Sequence, residues 1–518
     1  MSAESSSAIA GFTLADMLRA LATQRPQSAA VSMDGQTIDF ATLHARSSRV
    51  AQALQQAGVG RGDRVAILDK NAPTFYDVVF GAAKLGAVTV GLNFRLARGE
   101  LASVLEDAQP TVVIVGAEFR SLVEPGVLTL ELGEQFENWI AAQPATDPEI
   151  DVDPSEVALT LYSSGTTGLP KGAMLTHANL SWTVRMGREK YAMNAETVNL
   201  VPSPLFHIGG VGYSLTAMGQ GGHTVLIRDV APGPLLALMA RHRVTHTFAV
   251  PAVIQMMAEH PDLVTTDLSS VTRIAYGAAP MTEAALLQAI AAFGCDFMGV
   301  YGMTEAAGTV VSLDPADHDP GGPRAHLLRS VGKPLPYLQM RVVDPVSGVD
   351  SEPGKVGEIW ILAGQNMIGY WNNPQLTAAT LVDGGWLRTG DAGYRDADGY
   401  LYMHDRLKDM IVSGGENVYP AEVENALSGH PDVRELAVIG VPSQRWGETV
   451  KAMVVLRQGA VADEKALISW TRERLAHYKC PTSIDFVEVL PRNASGKILK
   501  HQLRGPFWAA HKETVQSP

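Results

Sequence analysis

ALTLYSSGTTGLPKG, at residues 158–172, is the stretch that decides the fold. Its first five residues are a largely apolar run of strand length, and it feeds directly into a loop of glycines and hydroxyl residues. Loops of that kind at the carboxyl ends of strands are where α/β folds bind ligands. The flanking sequence keeps the same rhythm. Leu43, Val50 and Leu54 recur at helical spacing and stop at Gly58 and Gly60. Residues 64–68 then read as a buried strand, 76–85 as a helix, and 87–92 and 111–115 as strands. Such alternation implies α/β layers around largely parallel sheets.

The loop itself is suited to a triphosphate. Its glycines let backbone N–H groups face an anion, Ser163, Ser164, Thr166 and Thr167 add donors, and Lys171 adds charge. It is not a Walker A loop, because Pro170 and Gly172, on either side of Lys171, stand where the second glycine and the magnesium-binding hydroxyl would be. A plain surface turn is the alternative reading.

The chain has 518 residues, enough for about two to four domains. With 46% hydrophobic and 18% charged residues it has the composition of a globular protein. A net charge of −13 argues against a general nucleic-acid binder, which needs a dense basic surface, but leaves nucleotide ligands open. Cys295 and Cys480 make neither a disulfide framework nor a zinc pattern. The amino terminus lacks a basic segment followed by an apolar core, and residues 78–92 fall short of a membrane span. The expectation is a cytoplasmic protein without a transmembrane segment. Proline, glycine and charge at 315–324 mark a surface excursion. A second boundary falls near 405–409, beyond which strands at 435–441, 450–456 and 484–489 and a helix at 464–475 make a compact α+β unit.

Seven blocks then resemble, in order, those of the AMP-forming adenylating superfamily, in its acyl-CoA synthetase branch of fatty-acid and aryl-acid CoA ligases. They are SSGTTGLPKG (163–172), PLFHIGG (204–210), YGAAP (276–280), YGMTE (301–305), RTGD (388–391), DRLKDMIVSGGENVYPAEVE (405–424) and PRNASGKILK (491–500). The resemblance implies a large N-terminal AMP-binding domain, 1–407, with layered β-sheets and helices. A small mobile α+β C-terminal domain, 408–518, with a core at about 422–497, would follow it.

It also implies site residues. Lys497 would contact both carboxylate and α-phosphate, although a lysine beside Lys500 and Arg504 otherwise reads as a solvated basic face. Ser163, Ser164, Gly165, Thr166, Thr167, Gly168 and Lys171 would hold phosphates. Gly277, Ala278, Ala279, Pro280 and Tyr301 would form the adenine slot, Gly302, Met303 and Thr304 would also bind the nucleotide, and Asp391 would meet the ribose with Arg406 assisting. A core tyrosine, a turn aspartate and a surface arginine are the bland readings of Tyr301, Asp391 and Arg406. Glu305 would link to Mg²⁺, a cation that prefers hard oxygen ligands. His207, Gly209 and Tyr276 would line the acyl pocket, His207 as wall rather than base. Ser413, Gly414, Gly415 and Glu416 would serve the CoA step, with Lys408 as hinge.

The implied reaction uses ATP, Mg²⁺ and coenzyme A. The small residues after His207, with no tryptophan to gate a tunnel and no base for a second carboxylate, favour medium- or long-chain fatty acids. An aryl acid, or delivery to a carrier protein, is the alternative. A nucleotide-binding sensor without turnover is the non-enzymatic reading. The partners are small molecules, with no nucleic acid, and a homodimer is an open option.

Overall fold

The computed structural model describes residues 9, 11–163, 171–406, 409–413, 416–443, 446–492 and 497–516, and these form four sheets. The strand Val157–Ser163 lies inside a seven-stranded sheet, between Lys171–Thr176 and Val88–Gly91; Arg64–Leu68, Val112–Val115 and Leu128–Glu131 continue it in parallel. These strands are Val- and Leu-rich without alternation because helices cover both faces. One face packs on the helices Phe40–Gln56 and Thr74–Ala83, whose Phe40, Leu43, Val50, Leu54, Tyr76 and Phe80 are fully buried.

A second, nine-stranded sheet has the parallel strands His223–Leu226, Val198–Val201, His246–Ala249, Arg273–Gly277 and Asp296–Met303 at its centre. The expectation of parallel α/β layers holds for these two sheets. It misses the third, which joins Gln339–Val343, Gly357–Leu362, Trp386–Arg395, Leu381–Val382 and Leu401–Arg406 in antiparallel pairs only. Short connections permit that pairing, whereas parallel strands need long crossovers. The fourth sheet uses residues 411–486 alone and shares no described strand with the others. Its core is Ile411, Val418, Val423, Leu427, Val438 and Val454, and the helix Pro420–Ser428 packs on Leu401–Arg406 of the third sheet.

The carboxyl ends of the two parallel sheets meet, and Asn71 joins them. Just past Arg64–Leu68, its buried carboxamide accepts from Leu205 N at 2.9 Å and donates to Ser203 O at 3.1 Å. Gly91 lies so close to Phe206 that a Cβ there would come within 2.9 Å of the Phe206 Cα. The segment 203–207 is thus held at the seam, where a ligand could reach loops of both sheets. The excursion at 315–324 does run along the surface, but His318 turns inward, its Nε2 3.0 Å from the Tyr276 hydroxyl.

Candidate active site

Ser163 and Lys171 face each other across the antiparallel pair that brackets the phosphate-type loop. Ser164, Gly165, Thr166, Thr167 and Gly168 lie outside the described residues, as do Lys408, Gly414 and Gly415. The two ends of the loop are tied to the next expected site residue. The Ser163 hydroxyl donates to Glu305 Oε1 at 3.2 Å, and the Tyr370 hydroxyl donates to the same oxygen at 2.8 Å. Lys171 Nζ stands 5.5 Å from the centre of the Tyr370 ring.

Tyr370 is placed by the two-residue strand Gly369–Tyr370, which adds to the edge of the seven-stranded sheet opposite Ala173. Sequence reading did not find it, since nothing local in GYWNN marks a partner for a glutamate 65 residues upstream. Glu305 itself is 8% exposed, and its backbone carbonyl accepts from Met367 N at 2.7 Å. Of its two carboxylate oxygens only Oε1 accepts hydrogen bonds among the described residues, so Oε2 offers a hard oxygen beside the phosphate-type loop. That donor fits Mg²⁺, which usually takes one or two carboxylates together with waters and substrate phosphates.

Four residues before Glu305, Tyr301 donates its hydroxyl to Asp391 Oδ2 at 2.8 Å. A bulge between Tyr301 and Gly302 re-aims the strand at this point. Gly302 cannot carry a side chain, because a Cβ would lie 2.0 Å from Gly308 O; at Gly277 it would lie 2.2 Å from Val300 O. Beside Gly277, Ala278 takes a left-handed backbone with φ of 63°. Non-glycine residues held in that region cluster at functional sites, where surrounding structure compensates the strain. Residues 277–280 and 301–304 therefore form one rim at adjacent strand ends, with Ala279 partly buried, Pro280 exposed, Met303 partly buried and Thr304 buried.

Asp391 belongs to Trp386–Arg395 and is 7% exposed; in the ladder it pairs with Arg406, of which the strand backbone is described. Ser413 lies opposite Glu416 in the hairpin of the fourth sheet and also pairs with Gly447. Lys497 is partly buried and directly precedes Ile498, which bridges to Arg492. Its basic neighbours have other tasks: Lys500 pairs with Glu424 at 3.0 Å and Arg504 with Asp409 at 3.0 Å. A shared solvated basic face does not describe them.

On the other side of the rim, His207 caps the helix Ile208–Met218, its Nδ1 accepting from Gly209 N at 3.1 Å. An accepting Nδ1 carries no proton, and burial lowers the pKa of the ring to about 4, so the imidazole is neutral at neutral pH. Gly209 faces Phe248, whose ring carbon would lie 3.1 Å from a Cβ there. Tyr276, expected in the same pocket, is not with them. Side chains alternate along a strand, so Ala275 and Phe248, which are in register, pack towards the helix Ile208–Met218 while Tyr276 packs with the opposite core. Sequence reading also missed Asn71. Its position three residues past a predicted strand end was the available signal.

Residues 18–371 match the model of the AMP-binding enzyme family, and 422–497 that of the AMP-binding enzyme C-terminal domain. A fatty acid–[acyl-carrier-protein] ligase of Streptomyces coeruleorubidus is 39% identical over 94% of this chain and 95% of its own. A feruloyl-CoA synthase of Amycolatopsis sp is 40% identical over 94% and 97%. The crystal structure of the anthranilate CoA ligase AuaEII with anthranoyl-AMP superimposes with a TM-score of 0.91 at 28% identity, covering 99% of this chain and 100% of that one. With both family models matched in order over the loop, the rim and the C-terminal unit, the chain belongs to the AMP-binding enzymes, the AMP-forming adenylating superfamily.

Proposed function

We propose that this acid–thiol ligase activates a carboxylic acid with ATP and passes the acyl group to the thiol of coenzyme A. In the first step a carboxylate oxygen bonds to the α-phosphorus and pyrophosphate leaves. In the second the thiol loses its proton, its sulfur bonds to the acyl carbon, and AMP leaves. The observation that carries the reading is the joined polar set Ser163, Tyr370 and Glu305, flanked by Tyr301 and Asp391, at the seam of the two parallel sheets.

In this reading the loop that starts at Ser163 cradles the departing pyrophosphate. Glu305 holds Mg²⁺, which neutralises charge on the phosphates when bound. Asp391 accepts from the ribose hydroxyls, with Arg406 assisting, and Tyr301 braces that carboxylate while its ring covers the adenine against 277–280. Bringing two anions together needs a cation at the reacting atoms, the task assigned to Lys497. Domains at 1–407 and 408–518, hinged at Lys408, let Lys497 withdraw before Ser413, Gly414, Gly415 and Glu416 admit the thiol.

A carrier protein as acceptor is a second reading, supported by the likeness to the acyl-carrier-protein ligase. The test is a panel of acids assayed for pyrophosphate release and for thioester, with free coenzyme A set against a phosphopantetheinylated carrier. Release of pyrophosphate with at least one acid and a thioester on coenzyme A is expected. Neither product with any acid contradicts the proposal, and product on the carrier alone replaces the acceptor.

A further inference from the structure

Asp391 owes its place to an irregularity in the third sheet. Where Gly357–Leu362 pairs with Trp386–Arg395, Glu358 stands opposite Ala392 and Trp360 opposite Arg388, so Ile359 alone faces Thr389, Gly390 and Asp391. A regular ladder would set one residue against one. The surplus makes a bulge, which bends its strand and re-aims a side chain. Gly390 takes the left-handed backbone, with φ of 70°, that glycine adopts at no steric cost.

A bulge disrupts the ladder locally, and the buried backbone groups of the longer strand then need other partners. Side chains supply them here. The Asp391 N–H donates to Thr389 Oγ1 at 3.1 Å, and the Thr389 hydroxyl donates in turn to Ile359 O at 2.7 Å. The Gly390 N–H donates to Glu358 Oε1 at 3.2 Å. Glu358 is 4% exposed, and its other oxygen is pinned from both strands. That Oε2 accepts from Trp360 Nε1 at 3.0 Å and from Arg388 Nε and Nη2 at 3.0 and 2.8 Å. Arg388 brings the positive charge that a buried carboxylate requires, and its guanidinium lies 5.5 Å from the centre of the Trp360 ring. With Oε2 fixed in this way, Oε1 is left to hold the bulge.

We propose, resting on the ligase reading above, that Glu358 is a positioning residue for ATP: through Gly390 it holds the bulge that aims the Asp391 carboxylate at the ribose hydroxyls. Its partners among the described residues are Trp360, Arg388 and Gly390, so its effect on the nucleotide passes through the bulge. Asp391 is then held twice. Tyr301 fixes the carboxylate at Oδ2, and Glu358 fixes the backbone one residue before it. Hydrogen bonds weaken steeply with length and angle, so a bulge set loose would appear as lost selectivity for the ribose.

Isothermal titration calorimetry of the full chain in Mg²⁺ buffer, comparing ATP with 2′,3′-dideoxy-ATP, reads that selectivity without requiring turnover. The unaltered enzyme should bind ATP roughly 10- to 100-fold more tightly, the range for hydrogen bonds to a charged acceptor. Asp391→Ala should abolish most of this ratio, and Glu358→Ala should lower it roughly fivefold or more. Added to Asp391→Ala, Glu358→Ala should change the ratio by less than about twofold, because two residues acting through one contact are not additive. Glu358→Gln keeps an oxygen for Gly390 but not the charge for Arg388. It should fall between, and it carries the test if the alanine variant does not fold. A residue that served stability alone would weaken both nucleotides equally. An unmoved ratio in a folded Glu358→Ala, or in Glu358→Gln where alanine is not tolerated, therefore overturns the proposal. A ratio that Asp391→Ala itself leaves unmoved removes the ribose assignment, and this proposal with it; no binding of ATP at all counts against the ligase reading.

Discussion

The two sides of the rim are built differently. On the nucleotide side Ser163, Tyr301, Glu305, Tyr370 and Asp391 meet through directed hydrogen bonds of 2.8 to 3.2 Å. On the acid side His207, Gly209, Tyr213 and Phe248 meet through packing and one helix cap. Directed bonds demand particular residue types at particular places, whereas packing accepts many combinations of similar volume. Under the proposed function the first side would handle what every substrate shares, and the second what distinguishes one acid from another.

If that division holds, changes on the nucleotide side slow all acids alike. Lys497→Ala should have the largest effect, lowering adenylation by roughly 10²- to 10³-fold, the loss typical of removing a stabilising donor at a transition state. Thioester formation from supplied acyl-adenylate should remain mostly intact, and equal loss of both half-reactions would remove Lys497 from its role. Asp391→Asn should come next. It exchanges a charged acceptor for a neutral one and should raise the KM for ATP by roughly 10- to 100-fold, on a scale of about 1.5–3 kcal/mol per bond to a charged group. The order of preferred acids should not change, and a reordered panel would break the comparison. Tyr370→Phe removes one hydrogen bond from Glu305, worth about 1 kcal/mol, and should raise the Mg²⁺ concentration needed for half-maximal rate by roughly fivefold.

The smallest effect concerns protonation. His177, His207, His223 and His246 are each held near 4 by burial, against an ordinary value of 6.5. Between those values the unfolded chain binds more protons than the fold. Their contribution to stability is therefore complete above about pH 6.5 and is lost as pH falls towards 4. Tm measured across that window should fall continuously with acidification. The log of kcat/KM for the acid should show no inflection near 6.5 that disappears in His207→Gln.

The same contrast explains what could be read from the sequence. Strands such as 64–68 and 158–162 declare themselves because largely apolar runs of that length have few other uses, and the structure has Arg64–Leu68 and Val157–Ser163 there. Glu305, Tyr301 and Asp391 were legible through the resemblance of their blocks to the superfamily, and Ser163 also through its glycine- and hydroxyl-rich loop; the structure pairs Ser163 with Glu305 and Tyr301 with Asp391. Tyr370 was not, since its role depends on an edge strand 65 residues beyond Glu305. The side of the sheet on which Tyr276 lies depends on strand register, and a one-residue difference exchanges the faces.

The central claim is that a carboxylate oxygen attacks the α-phosphorus of ATP. An acid labelled with ¹⁸O in its carboxylate, turned over with ATP, Mg²⁺ and coenzyme A and followed by mass spectrometry of the nucleotide, tests this directly. The account predicts AMP that has gained one ¹⁸O per turnover, with unlabelled pyrophosphate. Formation of ADP with the label in inorganic phosphate would contradict it.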